Sequence, residues 1–224
     1  PIVMKPRCAR KETPAGSHPR DDNKQWSQPG ATVGPKKNMS KRAERFRPLL
    51  EHLMETLGTS LSDQQVSLLE RHYDLLQRWN QRISLTSVTE PGQIVERHFG
   101  ESLFLASHLE SGPDSVIDIG SGAGFPGFPV AVACPALQVT LLESVRKKAV
   151  FLRELSREAA NVRVLHSRLE DVPERFEWAL ARGVALGPLR QHLTRKANRL
   201  AVITGVDEAA ELSGWAEGTW NPLI

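Results

Sequence analysis

The chain has 224 residues, of which 40% are hydrophobic and 25% are charged. This length suits one globular domain with an extension, or two small units. No apolar run approaches the roughly 20 residues that cross a bilayer, and the polar, proline-rich start lacks the apolar core of a secretory signal. The two cysteines, Cys8 and Cys134, are far apart, which argues against a disulfide framework or a metal site. We therefore expect no membrane span, no metal and a cytoplasmic location.

The positive charge is concentrated at the beginning of the chain. Residues 1–40 hold eight Lys or Arg and three Asp or Glu, whereas the net charge of the whole chain is +3, so the remainder is slightly acidic. The same segment has six prolines, three glycines and few aliphatic side chains. Such a composition cannot bury enough apolar surface to offset the entropy of ordering. Residues 1–40 are predicted to be a disordered basic tail.

Residues 41–110 have a helical pattern. Leucines recur every three or four residues until Gly58, which is typical of a helix end. Ser62-Asp-Gln-Gln65 has the spacing of a capping box and predicts the start of a second helix. A third helix is predicted from Gln93 to about Leu109, after a turn at Pro91-Gly92. These residues are predicted to form an N-terminal helical extension.

From residue 115 onward, short buried strands alternate with helices. This alternation predicts an α/β fold with a doubly wound, mostly parallel, Rossmann-like sheet spanning residues 111–224. The strands are predicted at 116–119, 138–142, 162–165, 178–180 and 200–204.

A glycine-rich stretch, Asp118-Ile-Gly-Ser-Gly-Ala-Gly124, follows the first of these strands. Glycines let the backbone turn sharply and approach a ligand closely. The first strand-to-helix crossover of a doubly wound sheet is where nucleotide-like ligands bind. Asp118, Gly120, Gly122 and Gly124 are therefore candidate cofactor-binding residues, with a plain glycine-rich turn as the alternative.

The same stretch also contains a match to the dinucleotide fingerprint G-x-G-x-x-G, at Gly122, Gly124 and Gly127. Pro126 lies inside this match, and the strand ends before Gly120, so the register is two residues late. An acidic residue also precedes the glycines. The order acidic-x-G-x-G-x-G resembles motif I of class I methyltransferases, which favours S-adenosylmethionine over NAD.

Two further acidic positions suit the rest of such a cofactor. Glu143 ends the second strand, 23 residues after Gly120, where a carboxylate can accept hydrogen bonds from both ribose hydroxyls. Methyltransferases share this feature with NAD enzymes, and an exposed glutamate at a helix entry is the alternative. After the third strand, Glu170 and Asp171 are equally suited to the adenine loop, and a solvated acidic turn is the alternative there.

Several motifs over roughly residues 46–212 resemble one family. They are Trp79-Asn80, Leu85-Thr-Ser-Val88, Arg97-His98, Glu101-Ser102, Gly124-Phe-Pro-Gly127, Leu141-Leu-Glu143-Ser144, Lys147-Lys148, Phe151-Leu152 and Ser167-Arg-Leu-Glu170. Together they resemble the ribosomal small-subunit RNA methyltransferase G family, also called glucose-inhibited division protein B. The Gly-Phe-Pro-Gly element is unusual among methyltransferases and is the most specific of these matches.

The resemblance implies transfer of a methyl group from S-adenosylmethionine to N7 of a guanine in 16S ribosomal RNA. It implies that the partner is this RNA or the small ribosomal subunit. It also implies that Glu143 contacts the ribose and that the cofactor is further contacted by Gly120, Phe125, Leu169, Glu170 and Arg182.

The chain departs from the family pattern at several positions. Gly183 follows Arg182 where alanine is usual, Glu101 stands where aspartate is familiar, and Thr204 precedes Gly205 where lysine is common. The family also continues through a final pair of strands beyond residue 224. We therefore expect either a truncated sheet or a different sheet edge.

Methylation at guanine N7 needs no general base, since this nitrogen has an in-plane lone pair and no proton. Holding N7 in line with the methyl group, roughly 3 Å away, and excluding water can be enough. Arg97 and His98 are candidates to contact RNA phosphate or the target base, unless they bridge the helical and α/β parts. Arg182 is a candidate for the cofactor carboxylate or guanine O6. Phe125 and Glu101 are candidates to stabilise the cationic product.

RNA phosphates are expected to attract Lys147, Lys148 and Arg153, or the basic tail, although a solvated helix face is the alternative. Three rival functions remain open. They are a small-molecule methyltransferase, a non-catalytic RNA-binding module and an NAD(P)-dependent oxidoreductase. The only tyrosine, Tyr73, lies in the helical part, far in sequence from the glycine loop, which disfavours the oxidoreductase. A monomer is expected.

Overall fold

The computed structural model describes residues 2–5, 36–109, 115–212 and 219–222. Seven strands form one parallel sheet. They are β1 (Ile2–Lys5), β2 (Ser115–Ile119), β3 (Gln138–Leu142), β4 (Val162–Leu165), β5 (Phe176–Arg182), β6 (Ala197–Ile203) and β7 (Thr219–Pro222). Their order across the sheet is β4-β3-β2-β5-β6-β1-β7.

This order confirms the predicted doubly wound topology. The chain moves outward from β2 through β3 to β4, then returns to β5 on the other side of β2 and continues to β6. The reversal point between β2 and β5 opens a crevice at the carboxyl ends of the strands, where ligands bind in such sheets. Ile119 is level with Leu142 on one side and Ala181 on the other, so the three loops that follow start side by side.

The helices alternate with the strands after residue 115, as predicted. Four α-helices precede residue 115 in the described part of the chain: α1 (Lys36–Leu57), α2 (Asp63–Asn80), α3 (Pro91–Ile94) and α4 (Glu101–His108). Those that follow it are α5 (Gly127–Ala133), α6 (Arg146–Leu155), α7 (Arg190–Lys196) and α8 (Val206–Leu212). A π-helical turn, Val95–Gly100, joins α3 to α4, and short 3₁₀ turns occupy Ser156–Glu158, Leu169–Asp171 and Gly187–Leu189.

The helix ends of the extension follow from their sequence signals. Helix α1 stops at Leu57, and Gly58 adopts φ +62°. Helix α2 begins with the predicted capping box between Ser62 and Gln65. The third helix starts at Pro91, two residues earlier than predicted, because Glu90 caps it and proline suits the first helical turn.

The two ends of the predicted basic tail are regular in the structure. Residues 2–5 form β1 between β6 and β7, and α1 begins at Lys36. The prediction of disorder differs from the structure at these two places. Residues 6–35, with Cys8, lie outside the described residues, as does the predicted boundary at 110–111.

Alternation along the strands divides the core between two faces of the sheet. On β2, Val116 packs in the cluster that contains Phe46 of α1 and Phe151 of α6, whereas Ile117 packs in a second cluster with Leu193 of α7. Each such fully buried side chain contributes about 1.5–3 kcal/mol through burial. The helical extension and one face of the sheet therefore share a single core.

Candidate functional site

The glycine-rich loop lies at the carboxyl end of β2, beside the reversal point of the sheet. Gly120, Gly122 and Gly124 have φ values of +66°, +54° and +87°. A residue with a Cβ pays roughly 1–2 kcal/mol for this left-handed conformation. A Cβ on Gly120 would also lie 2.8 Å from Cγ2 of Val184. The loop therefore needs glycine at these positions and presents bare backbone to the crevice.

Asp118 fixes the loop from below. Its side chain is fully buried, and its Oδ2 accepts a hydrogen bond of 3.1 Å from the backbone N–H of Gly127. A Cβ on Gly127 would lie 2.7 Å from this oxygen, so only glycine allows the bond. Burial raises the pKa of Asp118 to about 7. Asp118, predicted as a cofactor-binding residue, thus contacts the loop backbone and is shielded from solvent.

Glu143 joins the end of β3 to the glycine loop. Its Oε2 accepts a hydrogen bond of 3.0 Å from the backbone N–H of Gly122, and its Oε1 accepts one of 2.7 Å from Val145 N–H. A carboxylate has about four lone-pair sites, so about two remain for other donors. The side chain is 5% exposed. Glu143 is therefore pre-positioned at the loop with capacity for a ligand diol.

The loop after β4 carries the predicted adenine-site residues. Leu169 is buried in the core beneath the crevice, so its side chain is a packing element. Glu170 and Asp171 share the same 3₁₀ turn and are exposed. Glu170 lies 3.8 Å from Nη1 of Arg168. Both acidic side chains remain accessible, and the choice between them stays open.

Phe125 lies inside an aromatic cluster beneath the loop. Its ring stacks on His72, with centroids 4.4 Å apart, and lies 4.9 Å from the ring of His98. It also meets Phe99 edge-on at 5.0 Å. Phe125 is 5% exposed. Its ring supports the loop from within this cluster, and contact of Phe125 with the cofactor or the cationic guanine stays a prediction.

Arg182, at the end of β5, is tied to the helical extension. Its Nε donates to Oε2 of Glu101 over 2.6 Å, and its Nη2 donates to the backbone carbonyl of Arg97 over 3.3 Å. Burial raises the pKa of Glu101, and the charges of Arg182 and Arg97 offset part of that shift. The guanidinium has five N–H donors, so donors remain for a ligand after these two bonds.

Arg97 and His98 lie on the π-helical turn between α3 and α4, a distortion that is frequent at functional sites. His98 is 4% exposed, and its Nε2 lies 2.9 Å from Oγ1 of Thr86. Burial and the nearby charge of Arg182 lower the pKa of His98 to about 3. His98 thus hydrogen-bonds within the helical extension and places its ring 4.9 Å from that of Phe125 in the α/β part, which supports the alternative that it bridges the two parts. Arg97 remains partly exposed.

His72, on α2, is a site residue that the sequence reasoning did not single out. It is fully buried, and its Nε2 lies 2.7 Å from the backbone carbonyl of Ala123 within the glycine loop. Leu69, His72 and Leu76 recur at helical spacing, so His72 belongs to the buried stripe of α2. A polar ring in such a stripe needs a hydrogen-bond partner, which is the signal that could have revealed it.

Two kinds of feature are absent from the described ranges. There is no group of three or more His, Cys, Asp or Glu side chains arranged to hold a metal ion. None of the helices in these ranges is long and apolar enough to cross a membrane.

The family is decided by comparison with known proteins. A family model described as rRNA small subunit methyltransferase G matches residues 65–214, a segment that contains most of α2, the glycine loop and Arg182. The chain belongs to this family. The match confirms the family predicted from the sequence motifs, and with it the class of methyltransferases over the oxidoreductase rival.

Members of the rRNA small subunit methyltransferase G family match over most of the chain. A ribosomal RNA small subunit methyltransferase G from Chloroflexus aggregans is 40% identical over 168 residues, covering 70% of this chain and 71% of the relative. One from Pectobacterium atrosepticum is 34% identical over 182 residues, covering 77% and 87%. A solved precorrin-6y C5,15-methyltransferase from Geobacter metallireducens is 17% identical over 51% of this chain and 67% of that chain, with a TM-score of 0.43.

Proposed function

We propose that this protein transfers a methyl group from S-adenosylmethionine to N7 of a guanine in 16S ribosomal RNA. The observation that carries the proposal is the left-handed glycine loop whose Gly122 N–H is bound by Glu143. Membership of the rRNA small subunit methyltransferase G family supports the RNA substrate. The relatives from Chloroflexus aggregans and Pectobacterium atrosepticum bear the same name.

The residues at the crevice fit this cofactor. Gly120 and Gly122 have positive φ and carry no side chain, and a Cβ on Gly120 would collide with Val184 beside the crevice. The two unused lone-pair sites of Glu143 suit the ribose hydroxyls, and the remaining donors of Arg182 suit the cofactor carboxylate. Glu170 or Asp171 suits the adenine. When bound, S-adenosylmethionine would supply an electrophilic methyl group.

The side chains near the crevice suit a substrate that needs no deprotonation. Burial keeps His98 neutral and away from solvent, and it keeps Asp118 beneath the loop. The task left to the protein is to orient the guanine and to exclude water. We propose that Arg97 and Arg182 contact RNA phosphate or guanine O6. Lys147, Lys148 and Arg153 on α6 would attract the RNA backbone.

The cofactor assignment is tested by substituting two glycines that have the same backbone conformation. Gly120 has φ +66° and lies at the crevice, whereas Gly58 has φ +62°, and a Cβ added to Gly58 would meet nothing within 4 Å. Gly120→Ala and Gly58→Ala should both cost roughly 1–2 kcal/mol of backbone strain. Gly120→Ala also adds a steric contact with Val184, so binding is measured well below the unfolding midpoint of each variant. We expect isothermal titration with S-adenosylhomocysteine to show at least a tenfold loss of affinity for Gly120→Ala alone. Unchanged affinity in that variant, or no binding by the parent protein, contradicts the assignment.

The RNA assignment is tested by tritium transfer from labelled S-adenosylmethionine. Small ribosomal subunits, naked 16S RNA and a mixture of small metabolites serve as parallel acceptors. We expect label in the RNA and, after digestion to nucleosides, in 7-methylguanosine only. Label in another nucleoside, or in the metabolites alone, supports a different methyltransferase activity. No transfer to any acceptor, with the cofactor bound, supports a non-catalytic module.

A ribosomal substrate would place the protein in the cytoplasm, and we propose that it acts there as a monomer. Analytical ultracentrifugation at tens of micromolar protein tests the oligomeric state, and a dimer mass would contradict it.

A further inference from the structure

The glycine loop is held from two sides, and only one of them belongs to the α/β part. On the β3 side, Glu143 accepts a hydrogen bond from Gly122 N–H. On the other side, the ring of His72 contacts the carbonyl of Ala123, the next residue along the loop. These two contacts, from opposite directions, fix the peptide units that would contact the cofactor.

The hydrogen bond between His72 and Ala123 has a defined direction. The carbonyl of Ala123 can only accept, so Nε2 of His72 carries the proton and donates over 2.7 Å. The other ring nitrogen, Nδ1, is buried and has no hydrogen-bond partner within the described part of the chain. The single N–H of the neutral imidazole is therefore donated to the loop.

Gly124 provides independent support for this contact. A Cβ at this position would lie 3.2 Å from Nε2 and 3.3 Å from Cε1 of His72, and 2.9 Å from Cδ2 of Leu155. The absence of a side chain at Gly124 is what lets the imidazole reach Ala123. The third glycine of the motif thus accommodates a residue of the helical extension.

The surroundings of His72 exclude a role in proton transfer. Its ring is fully buried and packed against Phe125 and Phe128, with centroids 4.4 and 5.1 Å away. A group enclosed in this way does not reach a substrate. What remains is a fixed donor aimed at the backbone of the loop.

We propose that His72 is a positioning residue for the cofactor, which acts by holding the carbonyl of Ala123 and with it the glycine loop. The proposal rests on the proposed binding of S-adenosylmethionine. Helix α2 of the helical extension then supports the cofactor site through one buried hydrogen bond.

Two substitutions separate the hydrogen bond from the packing. His72→Gln keeps an N–H donor near the position of Nε2, whereas His72→Leu fills a similar volume without a donor. Leu69→Ala is the matched control, since Leu69 is also fully buried on α2, three residues from His72. Stability is measured by urea unfolding, and affinity for S-adenosylhomocysteine is measured by calorimetry well below the unfolding midpoint.

We expect His72→Leu to weaken S-adenosylhomocysteine binding at least tenfold, His72→Gln to stay within about threefold of the parent, and Leu69→Ala to lose stability with unchanged affinity. Parent-like affinity in His72→Leu, or an equal loss in Leu69→Ala, would overturn the proposal while leaving the proposed function intact. If the parent itself does not bind the probe, the proposed function fails and this inference fails with it.

Hydrogen exchange of the ligand-free protein gives a readout that does not depend on affinity. The amides of residues 121–125, 127 and 128 should exchange faster in His72→Leu than in the parent, and at parent rates in His72→Gln. Gly124→Ala should resemble His72→Leu, because the new methyl group displaces the imidazole. Unchanged exchange of the loop amides in His72→Leu and in Gly124→Ala would show that the hydrogen bond does not hold the loop.

Discussion

The glycine loop and the helical extension contribute to one site by different physical means. The loop is specified locally, since three glycines with positive φ and Asp118 lie within seven residues. The extension acts through contacts between distant residues. His72 and Ala123 are 51 positions apart, and Glu101 and Arg182 are 81 apart. The glycine motif therefore identifies the ligand class, while much of what holds the site in place comes from contacts with the extension that are distant in the sequence.

Breaking the ion pair between Glu101 and Arg182, which connects the extension to β5, should have the largest effect on stability. Removing one partner of a buried pair costs about 3–5 kcal/mol, and the 25% exposure of the Arg182 side chain favours the lower end of that range. We expect Glu101→Ala to lower the free energy of unfolding by about 3 kcal/mol. Urea unfolding followed by circular dichroism measures this change.

The pair between Glu174 and Arg163 is the control, since its side chains are 42% and 51% exposed. Glu174→Ala should leave the unfolding midpoint nearly unchanged, because solvent screens an exposed pair. If the two substitutions had equal effects, the extension would not be energetically tied to β5 through this contact.

The sequence was sufficient for the features that depend on local chemistry. Strand alternation predicted five neighbouring strands and their winding, and the capping box at Ser62 predicted the start of α2. The acidic residue and glycines of the loop predicted its conformation through the need for positive φ. Glu143 was predicted at a strand end, where the register of a parallel sheet places it beside the loop.

The remaining features depend on which surfaces pack together, which local pattern does not encode. His72 reads as one more member of a buried helical stripe until α2 is packed against the loop. The motif singled out Phe125, but it did not indicate that the rings of Phe99 and His98 pack against Phe125. Arg182 was predicted at the crevice, yet its partner Glu101 depends on the π-helical turn that precedes α4.

The pH dependence of stability gives the next largest effect. Burial lowers the pKa of both His72 and His98 to about 3, below the ordinary value of 6.5. As the pH falls below 6.5, the unfolded chain binds protons that the folded protein does not. Each histidine therefore contributes a loss of stability of about 1.4 kcal/mol per pH unit, until the pH reaches the folded-state value.

The contribution of Asp118 to stability changes with pH in the opposite direction. Burial raises its pKa from 3.8 to about 7, so its neutral form stabilises the fold at low pH, and that contribution is lost as the pH rises through 7. The contribution of His72 is isolated by the difference in the free energy of unfolding between the parent and His72→Gln. The contributions of Asp118 and His98 are common to both proteins and cancel in this difference. Between pH 6.5 and 5, the parent should lose about 1.6 kcal/mol more than the variant, because the slope rises from about half of 1.4 kcal/mol per pH unit at pH 6.5 to nearly that value at pH 5. Parallel urea titrations at pH 5, 5.75 and 6.5 measure it, and equal slopes would contradict a neutral, buried His72.

The smallest effect concerns a contact that ties the extension to α6 without contacting the loop. Nε1 of Trp79 donates a hydrogen bond of 3.0 Å to Oε2 of Glu154, and the indole meets Phe151 edge-on at 5.9 Å. Trp79→Phe keeps an aromatic ring but removes the donor, so we expect a loss of about 1 kcal/mol.

A double-mutant cycle with Glu154→Met, which removes the acceptor, isolates that hydrogen bond from the change in packing. The coupling between the two positions should account for most of the loss, while the affinity for S-adenosylhomocysteine should match that of the parent. A weaker affinity in Trp79→Phe would mean that any loosening of the extension perturbs the cofactor site. In that case the specific role of His72 would no longer be distinguishable from general support by the helices.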